Sequence, residues 1–275
     1  MTTIRKYGDP PWSAAAIHGG PGAPGSAAGL ARGLAAATGA GVLEPFQSKR
    51  TIRALVEELY AQLAAESAGP VMLIGHSWGA WLSAMFAQKY PEKVRKLLLV
   101  GCGPLTDSYV PKIAAGRMAR LNERERRRFA ELPALLARPD CPGRDALIAE
   151  LGALCERSDA YAPMKSGEAP SPAPDGALYQ AVWSEAVELR RSGKLLQIFE
   201  RLNVPVTVIH GDADPHPAAG VREPLISLGV PFTFHLLPRC GHTPWEEKFA
   251  REPFFRLLAR EFSQKSFSSG SIRSR

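Results

Sequence analysis

The chain has 275 residues, 45% of them hydrophobic, and a formal net charge of +7 at pH 7. This length suits one large domain, or a core with a smaller inserted domain. No run of about 18 apolar residues occurs, and the opening residues MTTIRKYGDPPW contain no apolar signal region, so neither a membrane span nor a secretory signal is predicted.

The four cysteines are far apart in the sequence and include no Cys-x-x-Cys pair: Cys102, Cys141, Cys155 and Cys240. This pattern favours reduced thiols over a disulfide framework or a zinc site. We therefore expect a cytoplasmic protein.

Part of the positive charge comes from RMARLNERERRRFAEL at residues 117–132. Glutamates are interleaved with the arginines, which predicts a solvated helix face, with steering of an acidic ligand as the alternative. A nucleic-acid patch would need aromatic platforms and denser clustering of charge. We therefore expect a small-molecule substrate as partner, and neither nucleic acid nor a membrane. The oligomeric state stays open.

Short apolar runs bounded by glycine and proline recur along the chain and predict strands. They lie at residues 14–20, 41–45, 71–76, 94–102, 204–211 and 230–237. Helical patterns separate several of them, for example at 51–67 and 79–93. Strands that alternate with helices indicate an α/β protein with a mostly parallel sheet and helices on both faces.

The rhythm of strands breaks after Pro104 and resumes at Val204. The intervening sequence is helical in pattern, charged and interrupted by proline, with a turn-rich stretch at 163–176. We interpret it as a helical cap inserted into an α/β core. The final residues, SQKSFSSGSIRSR, are small, polar and basic, which predicts disorder. The predicted organisation is a core at 1–104 and 195–262, a cap at 105–194 and a tail at 263–275.

The stretch LIGHSWGAWLS places Ser77 between Gly75 and Gly79, where a predicted strand passes directly into a predicted helix. Without a loop, the residue at the tip takes a strained backbone conformation, and small neighbours let the strand and helix pack closely. Gly-x-Ser-x-Gly in this context is the pattern of a nucleophile elbow, which exposes the serine hydroxyl. Ser77 is therefore the candidate nucleophile.

A serine nucleophile needs a base that takes its proton and a third group that orients the base. VTVIHGDADPHP offers Asp212 and Asp214 just after a predicted strand, and FHLLPRCGHTPWEE offers His242 after the next one. Chemistry in open α/β sheets gathers at the carboxyl ends of the strands. The order serine, aspartate, histidine therefore predicts a catalytic triad, with Asp214 preferred and Asp212 as the alternative acid.

With these motifs and HGGPG at residues 18–22, the sequence resembles the α/β-hydrolase superfamily, and within it the prolyl iminopeptidase branch. The resemblance implies the α/β-hydrolase fold with a helical cap, and serine hydrolase activity without a cofactor. It implies Ser77 as nucleophile, Asp214 as the acid of an H-G-x-x-D motif and His242 as the base of a G-H-x-P motif.

The resemblance also implies an oxyanion hole formed by the backbone N–H groups of Gly20 and Trp78. One segment departs from the branch: VLEPFQSKRT, at residues 42–51, stands where iminopeptidases usually carry DQRG-x-G-x-S. The triad chemistry does not depend on that segment, whereas the peptidase substrate does. Esterase and aminopeptidase therefore both stay open, as do a lyase that never acylates Ser77 and a non-catalytic ligand receptor.

The expected substrate is a small ester, amide or aminoacyl compound rather than a long-chain lipid. An ammonium group in a closed pocket needs carboxylate partners; in the iminopeptidases, glutamates from the cap region supply them. The candidate substrate-binding residues are His18, Trp183, Glu185, Trp245 and Glu246.

The segment HGDADPH also raises the question of a metal site, because its His and Asp residues alternate. Gly211 and Pro215 break any strand there, and the predicted triad already uses one carboxylate. No metal is therefore predicted.

Overall fold

Seven strands form a single sheet in the computed structural model, which describes residues 3–138, 140–164 and 172–264. The strand order is β1-β3-β2-β4-β5-β6-β7. The strands are β1 Ile4–Tyr7, β2 Trp12–Ile17, β3 Gly41–Pro45, β4 Val71–His76, β5 Val94–Val100, β6 Val206–Gly211 and β7 Phe232–Leu237. Only the β1–β3 pair is antiparallel. The predicted mostly parallel α/β fold is confirmed.

The central strands are apolar along their whole length because helices cover both faces of the sheet. Every residue of β4 and of β6 is buried. Strand β1 was not predicted from the sequence. Its residues IRKY lie at the edge of the sheet and are only partly buried, so the apolar run that indicates a central strand is missing.

The described part of the chain contains ten α-helices. They are α1 Ala28–Thr38, α2 Ile52–Glu66, α3 Trp78–Lys89, α4 Val110–Arg120, α5 Glu123–Leu136, α6 Arg144–Asp159, α7 Gly176–Arg191, α8 Lys194–Glu200, α9 Ala219–Ser227 and α10 Arg251–Ser263. Helices α1 and α10 pack on one face, while α2, α3, α8 and α9 pack on the other. None of the described helices has the length and hydropathy needed to cross a bilayer.

The described residues between β5 and β6 form helices α4 to α8 and no strand of the sheet. Helix α7 packs into the core through Leu178, Val182 and Ala186. Residues 165–171 of the predicted turn-rich stretch lie outside the described residues. Helix α10 includes Ser263, and residues 265–275 of the predicted tail also lie outside the described residues.

The arginine-rich run forms the end of α4 and most of α5, with a break at Leu121 and Asn122. The Asn122 side chain accepts from the Glu125 backbone N–H, and the Glu125 carboxylate accepts from the Asn122 N–H, so a capping box begins α5. The prediction of a solvated face is wrong for Arg117, whose side chain is 17% exposed and ion-paired.

Candidate active site

Ser77 occupies the tip of a sharp turn between β4 and α3. Its backbone has φ 54° and ψ −120°, in a region that non-glycine residues rarely adopt. Its N–H donates to the Val100 carbonyl over 2.9 Å. A Cβ on Gly75 would lie 2.3 Å from the Gly79 oxygen, and one on Gly79 would lie 2.4 Å from the Ile17 oxygen. The two glycines therefore permit the close packing that this turn requires.

His242 and Asp214 are brought together from the loops that follow β7 and β6. His242 Nδ1 lies 2.7 Å from Asp214 Oδ2, and since a carboxylate only accepts, Nδ1 carries the proton. Asp212 has a different contact: its Oδ1 accepts from the Cys240 backbone N–H over 3.2 Å. Of the two predicted acids, the structure brings Asp214 to the histidine.

The backbone of His242 is held from two sides. Its N–H donates to the Asp159 carbonyl over 2.9 Å, and its carbonyl accepts from His76 Nε2 over 3.0 Å. A Cβ on Gly101, which has φ 52°, would lie 3.1 Å from His242 Nδ1. The backbone contacts therefore hold His242 in place, and Gly101 leaves room for its ring.

A second imidazole, that of His216, shares the same carboxylate. His216 Nδ1 lies 2.9 Å from Asp214 Oδ1, and the two imidazole rings stack with centroids 4.2 Å apart. Each carboxylate oxygen thus holds the Nδ1 of one histidine, which leaves Nε2 of each ring facing away from Asp214. In the sequence, His216 stands out only through the alternation of His and Asp in HGDADPH, and no local pattern indicates that it shares a carboxylate with His242.

The two histidines have different pKa values because both interact with the single negative charge of Asp214 and with each other. Burial and the neighbouring His242 lower the pKa of His216 to about 4, so this ring is neutral at pH 7. Burial also opposes charge on His242, but the Asp214 carboxylate outweighs it and raises the pKa of His242. Burial alone would raise the pKa of Asp214, yet the two imidazoles hold it well below its usual range.

A buried ion pair from the inserted helices adjoins the imidazoles. Arg117 on α4 donates from Nε and Nη2 to the two carboxylate oxygens of Asp159, at the end of α6, over 2.7 and 2.6 Å. Its Nη2 also lies 3.4 Å from His216 Nε2. Sequence reasoning missed this pair because Arg117 begins a run of charged residues and nothing local marks it as the one that turns inward.

Asp159, His216 and His242 also place one potential metal-ligand atom each within 4.8 Å of one another. The guanidinium of Arg117 contacts the first two of these side chains. It therefore already supplies the positive charge that a metal ion would bring.

A cavity of about 1010 Å³ opens onto Ser77 and is lined mainly by apolar side chains. Four aromatic rings follow one another along its wall. Trp78 meets Trp81 edge-on with centroids 6.4 Å apart, Trp81 stacks on Trp183 at 6.1 Å, and Tyr179 stacks on Trp183 at 6.1 Å. We call these four residues the aromatic wall.

Only one of the five predicted substrate-binding residues, Trp183, lines the cavity. The Glu185 carboxylate instead accepts from the Ile52 backbone N–H over 2.8 Å, at the first turn of α2. Glu246 lies in a short 3₁₀ turn, and its carbonyl accepts from the Met164 N–H. The contact of these glutamates with substrate stays a prediction: in the structure Glu185 caps a helix, and neither glutamate lines the cavity.

His18 and Trp245 are also buried away from the cavity. His18 is fully buried, its Nε2 accepts from the Gln47 N–H over 3.3 Å, and burial lowers its pKa to about 4. Trp245 is 1% exposed and meets His76 edge-on at 4.7 Å. Both side chains pack behind the site and neither lines the cavity, so their contact with substrate stays a prediction.

Gly20 and Trp78 both line the cavity beside Ser77. The HGGPG segment runs close to the serine, since a Cβ on Gly19 would lie 3.2 Å from Ser77 Cβ. Trp78 is the first residue of α3, so its N–H has no acceptor within the helix and lies at the positive end of the helix dipole. Both residues thus line the cavity that also contains Ser77.

The profile of the family described as alpha/beta hydrolase fold matches residues 16–249. Similar solved structures include VinJ (20% identity, TM-score 0.66, covering 95% of this chain and 94% of that one) and the proline iminopeptidase of Mycobacterium smegmatis (18%, 0.63, 97% and 96%). Est816, described as an N-acyl homoserine lactone degrading enzyme, is 14% identical with a TM-score of 0.59, covering 94% and 95%. At these identities the likeness shows the fold alone. No curated protein sequence matches this chain.

Proposed function

Because this chain belongs to the alpha/beta hydrolase fold family, we propose that it is a serine hydrolase that cleaves an ester or amide through an acyl-enzyme on Ser77. This fold hosts many chemistries, so the proposal depends on the site. One observation carries it: a serine on a strained elbow shares the site with a histidine bound over 2.7 Å to a buried carboxylate.

In the first step, Ser77 Oγ attacks the substrate carbonyl carbon while His242 Nε2 accepts the hydroxyl proton. The resulting imidazolium keeps its Nδ1 proton, which it donates in a hydrogen bond to the Asp214 carboxylate. The low pKa of Asp214 keeps this carboxylate ionised, so it stabilises the positive ring without taking the proton.

The negative oxygen that develops on the carbonyl is stabilised by the N–H groups of Gly20 and Trp78. His242 then returns its proton to the leaving group, and the acyl group stays on Ser77. Water attacks the acyl-enzyme with His242 as base, which releases the acid and restores the serine.

In this proposal residues 105–194 act as a cap that encloses the substrate. Apolar side chains from four of the inserted helices support this role, because Ile113, Phe129, Ile148 and Trp183 all line the cavity beside Ser77. The volume of about 1010 Å³ is at the upper end for ligand pockets. It favours a medium-sized substrate with a substantial apolar part.

An aminopeptidase is the second candidate, and one residue favours it. Glu156 on α6 lines the cavity, and its carboxylate has no ion-pair partner among the described residues, so it offers a contact for a substrate ammonium. The two glutamates predicted for that contact lie elsewhere, as shown above. The ester substrate therefore has the stronger support.

The serine mechanism is tested by labelling with a fluorophosphonate probe. We expect the probe to modify Ser77, and Ser77→Ala to lose both the label and turnover, by about 10⁴- to 10⁶-fold. Ser108→Ala, which changes an exposed serine, is the matched control and keeps both. A Ser77→Ala protein that is still labelled would contradict the proposal.

The substrate class is tested by comparing p-nitrophenyl esters of increasing acyl length with L-prolyl and L-alanyl anilides. Turnover of the esters with intact anilides supports the esterase. Cleavage of the anilides that is abolished by Glu156→Gln and by N-acetylation of the substrate supports the aminopeptidase. A protein that binds ligands without forming an acyl-enzyme would be a lyase or a receptor.

A further inference from the structure

Two polar side chains on the cavity wall have donor groups without a protein partner. Arg117 uses Nε and Nη2 for Asp159, but its Nη1 has no hydrogen-bond partner among the described residues. Tyr179 lines the same cavity, and its hydroxyl has no hydrogen-bond partner either within that part of the chain. Neither atom is fully buried, because neither belongs to the fully buried polar atoms without a partner.

The two groups are close enough to affect each other electrostatically. Burial and the neighbouring Cys155 raise the pKa of Tyr179 to about 12, and the Arg117 guanidinium acts against that shift. The phenol therefore keeps its proton at pH 7 and acts as a donor. Arg117 also contacts His216, which stacks on His242, so this polar site lies on the His242 side of the cavity.

The charges around these donors favour a neutral ligand atom. Asp159 already compensates the charge of Arg117 through two hydrogen bonds. Glu156, on the same wall, would repel an anion. The remaining donors of Arg117 and Tyr179 thus fit a carbonyl oxygen better than a carboxylate, and the aromatic wall fits an apolar chain beside it.

We propose that Arg117 Nη1 and the Tyr179 hydroxyl bind a second carbonyl oxygen of the substrate, distinct from the one that Ser77 attacks. The substrate class is then esters or thioesters whose apolar acyl chain carries a keto or amide oxygen. This inference rests on the proposed serine hydrolase function. It assigns Arg117 and Tyr179 to specificity rather than to the reaction itself.

The test uses three sets of p-nitrophenyl esters of equal chain length. One has a plain aliphatic chain, one has a keto oxygen moved stepwise along the chain, and one ends in a carboxylate. We expect the wild-type protein to show the highest kcat/KM with a keto ester. The ratio of keto to aliphatic kcat/KM should fall about 3- to 10-fold in Tyr179→Phe and about 10-fold or more in Arg117→Lys.

The ratio corrects for damage that affects every substrate equally, and lysine keeps a charge partner for Asp159. Tyr161→Phe removes the hydroxyl of an exposed tyrosine and should leave the ratio unchanged. An unchanged ratio in both Arg117→Lys and Tyr179→Phe would overturn the inference, as would a preference for the carboxylate ester. In either case, turnover of the aliphatic ester shows that the hydrolase function still stands.

A binding experiment covers the case in which no ester is hydrolysed. Ser77→Ala is titrated calorimetrically with non-hydrolysable amides that carry the same keto and aliphatic chains. Tighter binding of the keto amide that is lost on adding Tyr179→Phe supports the polar site even if the hydrolase function fails. Equal binding of the two amides overturns the inference.

Discussion

The sheet edge and the inserted helices contribute to the site in different ways. At the sheet edge the backbone positions the residues. Ser77 has φ 54°, and the positions two residues before and after it are glycines because the close packing has no room for a Cβ there. In the inserted helices the side chains do it, as in the Arg117–Asp159 ion pair and the stacking of Trp183 on Trp81. A geometry that the backbone defines tolerates few amino-acid substitutions, whereas the long side chains of the cavity wall can be substituted without moving the sheet.

The two regions are nevertheless joined at His242. The carbonyl of Asp159, in the inserted segment, accepts from the His242 N–H. The buried Glu247 carboxylate accepts from the N–H groups of Gly241, Tyr161 and Ala162, which ties the same segment to the histidine loop. The inserted helices therefore hold the His242 loop as well as lining the cavity beside Ser77.

The largest expected effect concerns the sheet edge and is tested by comparing the activities of Asp214→Asn and Asp212→Asn. An asparagine at 214 cannot hold the imidazolium of His242, so we expect kcat to fall by about 10⁴-fold. At position 212 the oxygen that accepts from Cys240 is retained, and activity should stay within a few-fold of the wild type. Steady-state kinetics on an activated ester measures both. A larger loss at 212 than at 214 would reverse the assignment of the acid.

The joint between the regions is tested by the pH profile of Asp159→Asn. The groups around His242 are Asp214, His216, His76, Asp159 and Arg117. Asp159 raises the pKa of His242 and Arg117 lowers it, so removing the carboxylate lowers this pKa. Because the base acts in its neutral form, activity is lost as pH falls through that pKa. The acid limb of kcat/KM should therefore move to lower pH.

Glu150→Gln is the matched control for this shift. Glu150 lies on the same helix as Asp159 and is also paired with an arginine, Arg128, but on the surface. Its substitution should leave the acid limb in place. An acid limb that moves to higher pH in Asp159→Asn, or does not move, would show that the inserted helices do not tune the base.

The smallest expected effect is that of Glu185→Ala, which distinguishes a structural role of this carboxylate from a contact with substrate. Its carboxylate accepts from the Ile52 N–H at the start of α2, so Glu185→Ala should lower the free energy of unfolding by about 0.5–2 kcal/mol. Urea denaturation measures this change. KM should stay constant, and Glu188→Ala, at a neighbouring exposed position, should change neither quantity. A raised KM without loss of stability would restore Glu185 to the substrate pocket.

Sequence reasoning predicted the six strands β2 to β7 because each is a short apolar run with clear boundaries. It also predicted the positions of Ser77, Asp214 and His242, since each follows its own strand and the parallel strands end at one edge. Of the five side chains that it placed at the substrate, only Trp183 lines the cavity. Proximity in sequence to a site residue, as for Trp245 beside His242, does not set the direction in which a side chain points.

The sequence by itself determined what depends on local pattern: the α/β class, the sharp turn at Ser77 and the places of Asp214 and His242 after their strands. Only the tertiary structure decided which side chains meet across the fold. Arg117 and Asp159 are 42 residues apart on different helices, and Asp214 holds both His216 and His242. Such contacts depend on how the helices pack and on which polar groups are buried together. The hydrophobic periodicity of a single segment specifies neither of these.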